Sequence, residues 1–258
     1  MTTWLSNHRG LRALSARETA RVLKLWTQTI LAPVLSSALF IVVFGLSLGN
    51  RIRQIDGFPY DQYIVPGLIA MSMAQAAYAN NSASVFQARF DRYINDVLAA
   101  PMRGWEVNLG LNLGGAVRAS LIGAGLLVVA LPLTGVPVRE PLVLVAAVAL
   151  LLVIFCAFGV VVGIYAESWD QSAFVTNLVI LPLSFLGGVF YSVGRLPSPW
   201  QELSHANPLY YLIDAVRHGF LGTGDVPVGI SLAVGAVMAV ACVAWSARLF
   251  ATGRRLKP

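Results

Sequence analysis

The chain has 258 residues, 57% of them hydrophobic and 12% charged, and its mean hydropathy of +0.71 excludes an ordinary soluble domain and makes the bilayer the expected solvent. A net charge of +6 and an isoelectric point near 9.7 would suit nucleic acid, but the bases stand beside apolar segments rather than along one basic element, so anionic lipid head groups are the expected partner instead. The two cysteines, Cys156 and Cys242, fall in apolar runs, so neither a disulfide framework nor a thiolate metal cluster is expected.

The first 26 residues are polar and basic, and no short cleavable signal is expected in them. Within them Leu11, Leu14, Val22 and Leu25 fall on one helical face while Arg12, Arg17, Arg21 and Lys24 fall elsewhere. This pattern predicts an interfacial helix whose apolar stripe Glu18 interrupts. Six segments then stay apolar for about the twenty residues that a helix needs to cross the hydrocarbon core. They are Thr27 to Gly49, Gln62 to Ala83, Glu106 to Pro132, Leu142 to Ala166, Ser172 to Val193 and Val228 to Phe250. The second is the most polar, because it holds Gln75, Tyr78, Asn80, Asn81 and Ser82. The prediction is a single all-α integral membrane domain over residues 1–258 with six transmembrane helices.

Orientation follows from the loop bases. With the N-terminus inside, the inner side receives Arg9, Arg12, Arg17, Arg21, Lys24, Arg89, Arg92, Arg103, Arg248, Arg254, Arg255 and Lys257. The outer side receives Arg51, Arg53, Arg139, Arg195 and Arg217. The positive-inside rule therefore predicts cytoplasmic termini, a cytoplasmic loop over 84–105 and an outer segment over 194–227.

The outer segment carries two helix starts. Ser198-Pro199-Trp200-Gln201 reads as a Ser cap, a Pro at the first helical position and a Gln placed to bond back, and Asn207-Pro208 repeats the cap-plus-Pro logic. After it, Leu209, Leu212, Ile213, Val216 and Phe220 form one apolar stripe that Gly222 can end, as in a helix lying along a membrane face or dipping into it. Asp214 stands three residues before Arg217 and four before His218, so pairing along the helix surface is expected. The order Phe185-Leu186-Gly187-Gly188-Val189-Phe190-Tyr191, Leu196-Pro197, Trp200, Asn207-Pro208-Leu209, Asp214 and Arg217 resembles the C-terminal half of the membrane subunits of type-2 ABC exporters, which carry a re-entrant helix pair before the sixth span.

That resemblance implies more than the segment itself. It implies a bacterial cytoplasmic-membrane permease, a homodimer paired with two copies of a separate ATPase, exporting a lipidic, glycan-linked or drug-like molecule. ATP and Mg would then sit on the partner, leaving no cofactor and no catalytic site on this chain. The inner loop after the second span can form a short helix ended by Pro101. In the family that loop holds the coupling helix, and by resemblance Phe90, Asp91, Arg92, Asn95 and Asp96 contact the ATPase. Many relatives have a Gly-Thr pair shortly after the basic residue, where this chain reads Tyr93-Ile94-Asn95-Asp96.

Absences support the same class. The two lysines, Lys24 and Lys257, each follow a leucine, so no phosphate-binding Gly-Lys-Ser/Thr loop exists here. All twelve acids lie in loops or at span ends, which disfavours the alternative of an ion-coupled secondary transporter. His205, Ser204, Asp214 and His218 have neither a nucleophile elbow nor metal-binding spacing. Arg118 lies in mid-span, where an arginine costs about 2.5 to 3.5 kcal/mol on insertion scales. Gly110, Gly114 and Arg118 follow at i, i+4 and i+8, so a close neighbouring helix can supply an interhelical hydrogen bond; contact with an anionic part of the substrate is the other reading. Met71, Gln75, Tyr78 and Ser82 share a face that either lines a path or packs against a partner helix. Glu167 and Asp170 either contact an ATPase or form an ordinary solvated turn.

Overall fold

The computed structural model describes residues 7–49, 54–253 and 256. The first six residues and the bases Arg51, Arg53, Arg254, Arg255 and Lys257, all used for orientation above, lie outside the described residues. In chain order come α1 (His8–Lys24), a π turn (Thr27–Leu31), α2 (Ala32–Gly49), a hairpin of β1 (Gln54–Ile55) and β2 (Phe58–Pro59), and α3 (Tyr60–Phe90). Then follow α4 (Ile94–Ala99), α5 (Gly104–Thr134), α6 (Pro141–Tyr165), α7 (Trp169–Val175), a second π turn (Thr176–Ile180) and α8 (Leu181–Leu186). After a 3-10 turn, α9 (Ser198–Ala206), α10 (Pro208–Leu221) and α11 (Val228–Thr252) complete the chain.

Among the described residues, four helical stretches are long and apolar enough to cross a membrane: Thr27–Gly45, Gly104–Thr134, Pro141–Tyr165 and Val228–Thr252. They match the expected first, third, fourth and sixth segments closely. The second expected segment lies within α3, a 31-residue helix whose side chains are buried along almost its whole length. The fifth departs from expectation at its end. Helix α8 stops at Leu186, well short of Val193, because Gly187 and Gly188 follow and Gly188 takes a left-handed φ of +78°. The small hairpin is an element the all-α reading left out; Asp56 and Gly57 at φ 51° and 85° make the tight Asp-Gly turn that such strands favour.

Close helix approach at glycine sets the packing around α3. A Cβ at Gly159 would lie 2.5 Å from the Tyr78 carbonyl, and one at Gly163 would lie 2.7 Å from the Ser82 carbonyl, so α6 crosses α3 backbone to backbone. On the other side Gly110 and Gly114 of α5 receive Leu14 and Glu18 of α1. The neighbour that the Gly110-Gly114-Arg118 spacing called for is therefore α1 with its π turn.

The stripe on α1 is completed rather than interrupted by Glu18. Leu14, Glu18 and Val22 are buried together, while Leu25 is exposed. The Glu18 carboxylate, 2% exposed, meets Arg17 at 2.9 Å and Arg21 at 3.0 Å and accepts from Ser84 Oγ at 2.7 Å. Its charge is compensated on both sides, which is the condition for burying a carboxylate.

Gly159→Leu should force α6 off α3 and cost at least the roughly 1–3 kcal/mol of core overpacking, whereas Gly229→Leu, with no atom within 4 Å of its Cβ position, should be neutral. Melting temperatures of the two variants in one detergent check this; equal values would refute the crossing.

Candidate functional site

The inner loop is built by chain direction. Helix α3 runs to Phe90, Arg92 takes a left-handed φ of +61° that turns the backbone, and α4 occupies only the second half of the loop before Pro101. Ile94 anchors α4 in a cluster with Val85, Val107, Ile164 and Phe250. Arg17 of α1 lies over the Tyr93 ring at 4.9 Å, and burial pushes the Tyr93 phenol up from its usual range. Phe90, Asp91, Arg92, Asn95 and Asp96 are all left exposed.

Asn7 ties α1 to the far end of the same loop. Its backbone N–H donates to Glu106 at 2.7 Å and its side chain donates to the Pro101 carbonyl at 3.3 Å. The loop is thus held by α1 at Tyr93 and at Pro101. The turn before α7 lies beside the end of α3: Ser168 caps α7 by accepting from Gln171 N, and Glu167 and Asp170 are exposed.

Tyr78 and Arg118 bond to different neighbours. Tyr78 is fully buried and donates to the Ser172 carbonyl of α7 at 3.0 Å. Arg118 instead points to the other neighbour, where its Nε donates to the Thr29 carbonyl in the π turn at 3.1 Å. Met71 and Ser82, on the same face of α3 as Tyr78, are buried and Gln75 is partly buried. Cavities of 370 Å³ between α5, α6 and α11 and of 420 Å³ between α6, α7 and α11 are lined by other residues, including Trp105, Asn108 and Asn112 in the first and Tyr165 and Trp245 in the second.

A polar seam crosses the bundle at this level. Asn80 donates to Asn81, which donates to Asn112 and to the Cys156 carbonyl; Asn112 donates to Asn108, and Asn108 to Ser246. Arg21 joins it by donating to Asn80 at 3.4 Å. The seam links α1, α3, α5, α6 and α11, and Asn108, Asn112 and Ser246 were not among the candidate residues. Asparagine at i and i+4 inside an apolar run was the sequence signal for them.

The outer segment is deeper in the protein than a surface helix. All five stripe residues of α10 are buried, and so are Tyr210, Asp214, Arg217 and Leu221. A Cβ at Gly219 would lie 2.7 Å from Leu144 Cα, so α10 is wedged against α6. Asn207 caps α10 as expected, accepting from Leu209 N at 3.0 Å and also donating to the Leu183 carbonyl at 2.6 Å; Pro208 starts the helix and Gly222 ends it at φ 73°. Ser198 makes no cap. The Pro197 carbonyl takes the first helix bonds of α9, and Ser198 Oγ donates to Glu202 instead. Trp200 on α9 is exposed.

Asp214 does not pair along its helix with Arg217 or His218. Its carboxylate accepts from the backbone N–H groups of Asp225 and Val226 and from Ser231 Oγ, fastening the loop that leads to α11. Burial pushes that carboxyl up from its usual range, against the Asp225 N–H and the Arg217 charge that pull it down. Arg217 points the other way: Nη2 donates to the Gly188 carbonyl and the guanidinium lies 4.1 Å over the Tyr63 ring. His218 faces Glu140 at 3.6 Å. The i, i+3 and i, i+4 spacings allowed the pairs, but tertiary partners outcompeted them. Arg217, Tyr63, Phe58 and Asp56 line a small cavity of 160 Å³ with Asp225. Among the described residues no cluster of His, Cys, Asp and Glu could hold a metal ion.

Helices of membrane-crossing length packed around the buried α3 define an integral membrane protein. Residues 9–221 match the family described as ABC-2 type transporter, and the chain belongs to that family. It is 40% identical over 252 residues to the inner membrane transport permease YadH of Escherichia coli (strain K12), covering 96% of this chain and 97% of that protein. It is 30% identical over 238 residues to nodulation protein J of Rhizobium meliloti (strain 1021), covering 90% of each, and 31% identical over 202 residues to nodulation protein J of Rhizobium leguminosarum bv. trifolii, covering 76% of this chain and 77% of that protein.

Asn207→Ala should remove both the α10 cap and the tie to Leu183 at a cost of about 1 kcal/mol for the cap alone. Amide exchange in the first turn of α10 should quicken about fivefold or more while α6 is unchanged, and unchanged protection at Leu209 to Tyr211 would contradict the assignment.

Proposed function

We propose that the chain is the permease subunit of an ATP-binding-cassette exporter of the bacterial inner membrane, built as six spans with cytoplasmic termini. The second span is α3, and the fifth is the run from α7 through the π turn to α8. Two copies would form the pathway, each bound to one copy of a separate ATPase that carries ATP and Mg. The substrate class is lipidic, glycan-linked or drug-like. The observation that carries this reading is membership of the ABC-2 type transporter family combined with the exposed run Phe90, Asp91, Arg92, Asn95 and Asp96, held firmly from behind by α1. In this reading the run is the coupling contact, and pressure on it reaches α3, α5 and α1 together through the Glu18 cluster and the asparagine seam. The ion-coupled secondary transporter remains the rival class; a carrier of that kind needs no ATPase.

Arg118 is assigned to the interhelical bond, because its Nε already has the Thr29 carbonyl in a widened helical turn. The outer pair α9 and α10 is assigned to the outward face, with α10 fixed and the exposed α9 free to contact substrate or a second protomer.

Reconstitution in lipid with the cognate ATPase tests the main proposal. Asp91→Ala with Asp96→Ala should uncouple ATP turnover from the permease by 10-fold or more, on the order of a lost pair of charge-assisted contacts. Full turnover in that mutant would remove the coupling role, and absence of any bound ATPase would favour the ion-coupled rival. Arg118→Gln, which still donates to a carbonyl, should assemble and transport normally; intact assembly with transport abolished would place the guanidinium on the substrate path.

A further inference from the structure

The 370 Å³ cavity between α5, α6 and α11 is of a size usual for ligand sites, about 300–1,000 Å³, and it opens sideways out of the bundle. Leu109, Leu113, Val153 and Val243 line it, and all four remain exposed. The floor is polar, because Asn108 and Asn112 of the seam also line it. An asparagine amide carries two N–H donors. Asn108 spends one on Ser246 at 3.0 Å, and Asn112 spends one on Asn108 at 3.0 Å. One N–H on each remains to be met in an otherwise apolar cavity, although Asn108 is only 6% exposed.

The inner mouth of the cavity is basic. A Cβ at Gly104 would lie 3.3 Å from Phe250 Cβ, so the start of α5 rests on the end of α11. Arg103, one residue before Gly104, and Arg248, two before Phe250, flank that contact and are exposed, and Trp105 beside them is the kind of ring that settles at head-group level. Over residues 103–134, 141–165 and 228–252 the charged groups are Arg103, Glu106, Arg118 and Arg248. Glu106 is 1% exposed and its two oxygens accept from the Asn7 and Arg103 backbone N–H groups, while Arg118 is turned to the π turn. Asp96 is exposed on α4, which shares a cluster with Phe250 but lines no part of the cavity, and Asp170 stands on α7 with Gln171 of the second cavity. A second copy docked here by a two-fold axis would bring like charges face to face. An anionic phospholipid meets every group: its phosphate the arginines, its ester carbonyls the asparagine amides, its acyl chain the apolar wall. Asn108 stands about 8 Å along α5 from Arg103 at 1.5 Å per residue, the depth of a glycerol backbone below its phosphate.

We infer that the cavity between α5, α6 and α11 is a binding site for one anionic diacyl phospholipid, held by Arg103 and Arg248 at its head and by Asn108 and Asn112 at its ester groups. The site requires only that the chain spans a membrane and stands whether or not an ATPase is its partner. A lipid bound there closes the open side of the asparagine seam and packs between α5 and α11, so the bilayer's anionic lipid becomes part of the bundle.

Native mass spectrometry of the full chain in detergent micelles, titrated with phosphatidylglycerol or with phosphatidylcholine, tests it. One phosphatidylglycerol per chain should bind about 10-fold more tightly than phosphatidylcholine, and Arg248→Gln and Arg103→Gln should each weaken it about fivefold, the scale of one base near a lipid phosphate. Arg12→Gln, at an exposed base on α1, should change nothing. A diether phosphatidylglycerol, which lacks the ester carbonyls, should bind the unmodified chain about fivefold more weakly than the diester, the scale of a lost hydrogen bond. Ala116→Phe, which fills the cavity, should abolish binding of both lipids; because the arginine variants are at the surface and the ether lipid needs no variant, the test survives poor folding of Ala116→Phe. Equal binding of the two head groups with no loss in Arg248→Gln, or undiminished phosphatidylglycerol binding by folded Ala116→Phe, would overturn the site. Conversion of a dimer to a monomer by Ala116→Phe, with lipid binding unchanged, would give the cavity to a second copy instead.

Discussion

A polar stretch in the last third of α3 governs the architecture. Asn80, Asn81, Ser82 and Ser84 stand close together on the helix and are all buried in the protein, where an unsatisfied polar group costs about 1–3 kcal/mol. Every one of them therefore has to be met by protein. The bundle is arranged to do so: α1 brings Glu18 to Ser84 and Arg21 to Asn80, α5 brings Asn112 to Asn81, α6 offers the Cys156 carbonyl, and α7 offers Ser172 to Ser82. Backbone contact at Gly159 and Gly163 is what lets α6 come near enough to take part. Enclosure of α3 follows from satisfying these groups, and so does the docking of the N-terminal helix against protein.

The two ends of the bundle are fastened by different chemistry. At the inner end the fastening is by side chains to backbone and by aromatic contact, with Arg89 on two carbonyls and Arg17 over Tyr93. Such bonds hold the loops to the helices while leaving their outer edges in water. At the outer end, α10 is almost entirely enclosed, and its charged residues are spent on loops: Asp214 on the 225–226 backbone and Arg217 on Gly188.

Sequence patterning located the elements wherever one factor dominated. Continuous apolar runs marked four spans to within a few residues, and Asn207-Pro208 and Gly222 marked the bounds of α10, because capping is a local matter. It misplaced features that depend on competing partners. The fifth segment ends at Leu186 since the Gly187-Gly188 turn overrides the apolar residues Val189 and Phe190, which pack back on the bundle. Ser198 had the composition of a cap, yet Pro197 supplied the carbonyl that starts α9. Of the candidate site, the inner-loop residues were named by resemblance alone, whereas nothing local signalled that Arg89 would bond to the turn before α7 or that Trp169 would meet Phe86.

The sequence by itself determined a membrane protein of several apolar helices, the polar loop after α3 and the bounds of the capped helix α10, since composition, run length and caps are properties of neighbouring residues. Only the tertiary structure decided which polar residues satisfy one another. Glu18 became a buried hub, Asp214 and Arg217 parted to separate partners, and loops about 80 residues apart closed over Phe86, because in a low-dielectric interior each buried charge or amide goes to whichever donor or acceptor the packing brings within about 3 Å.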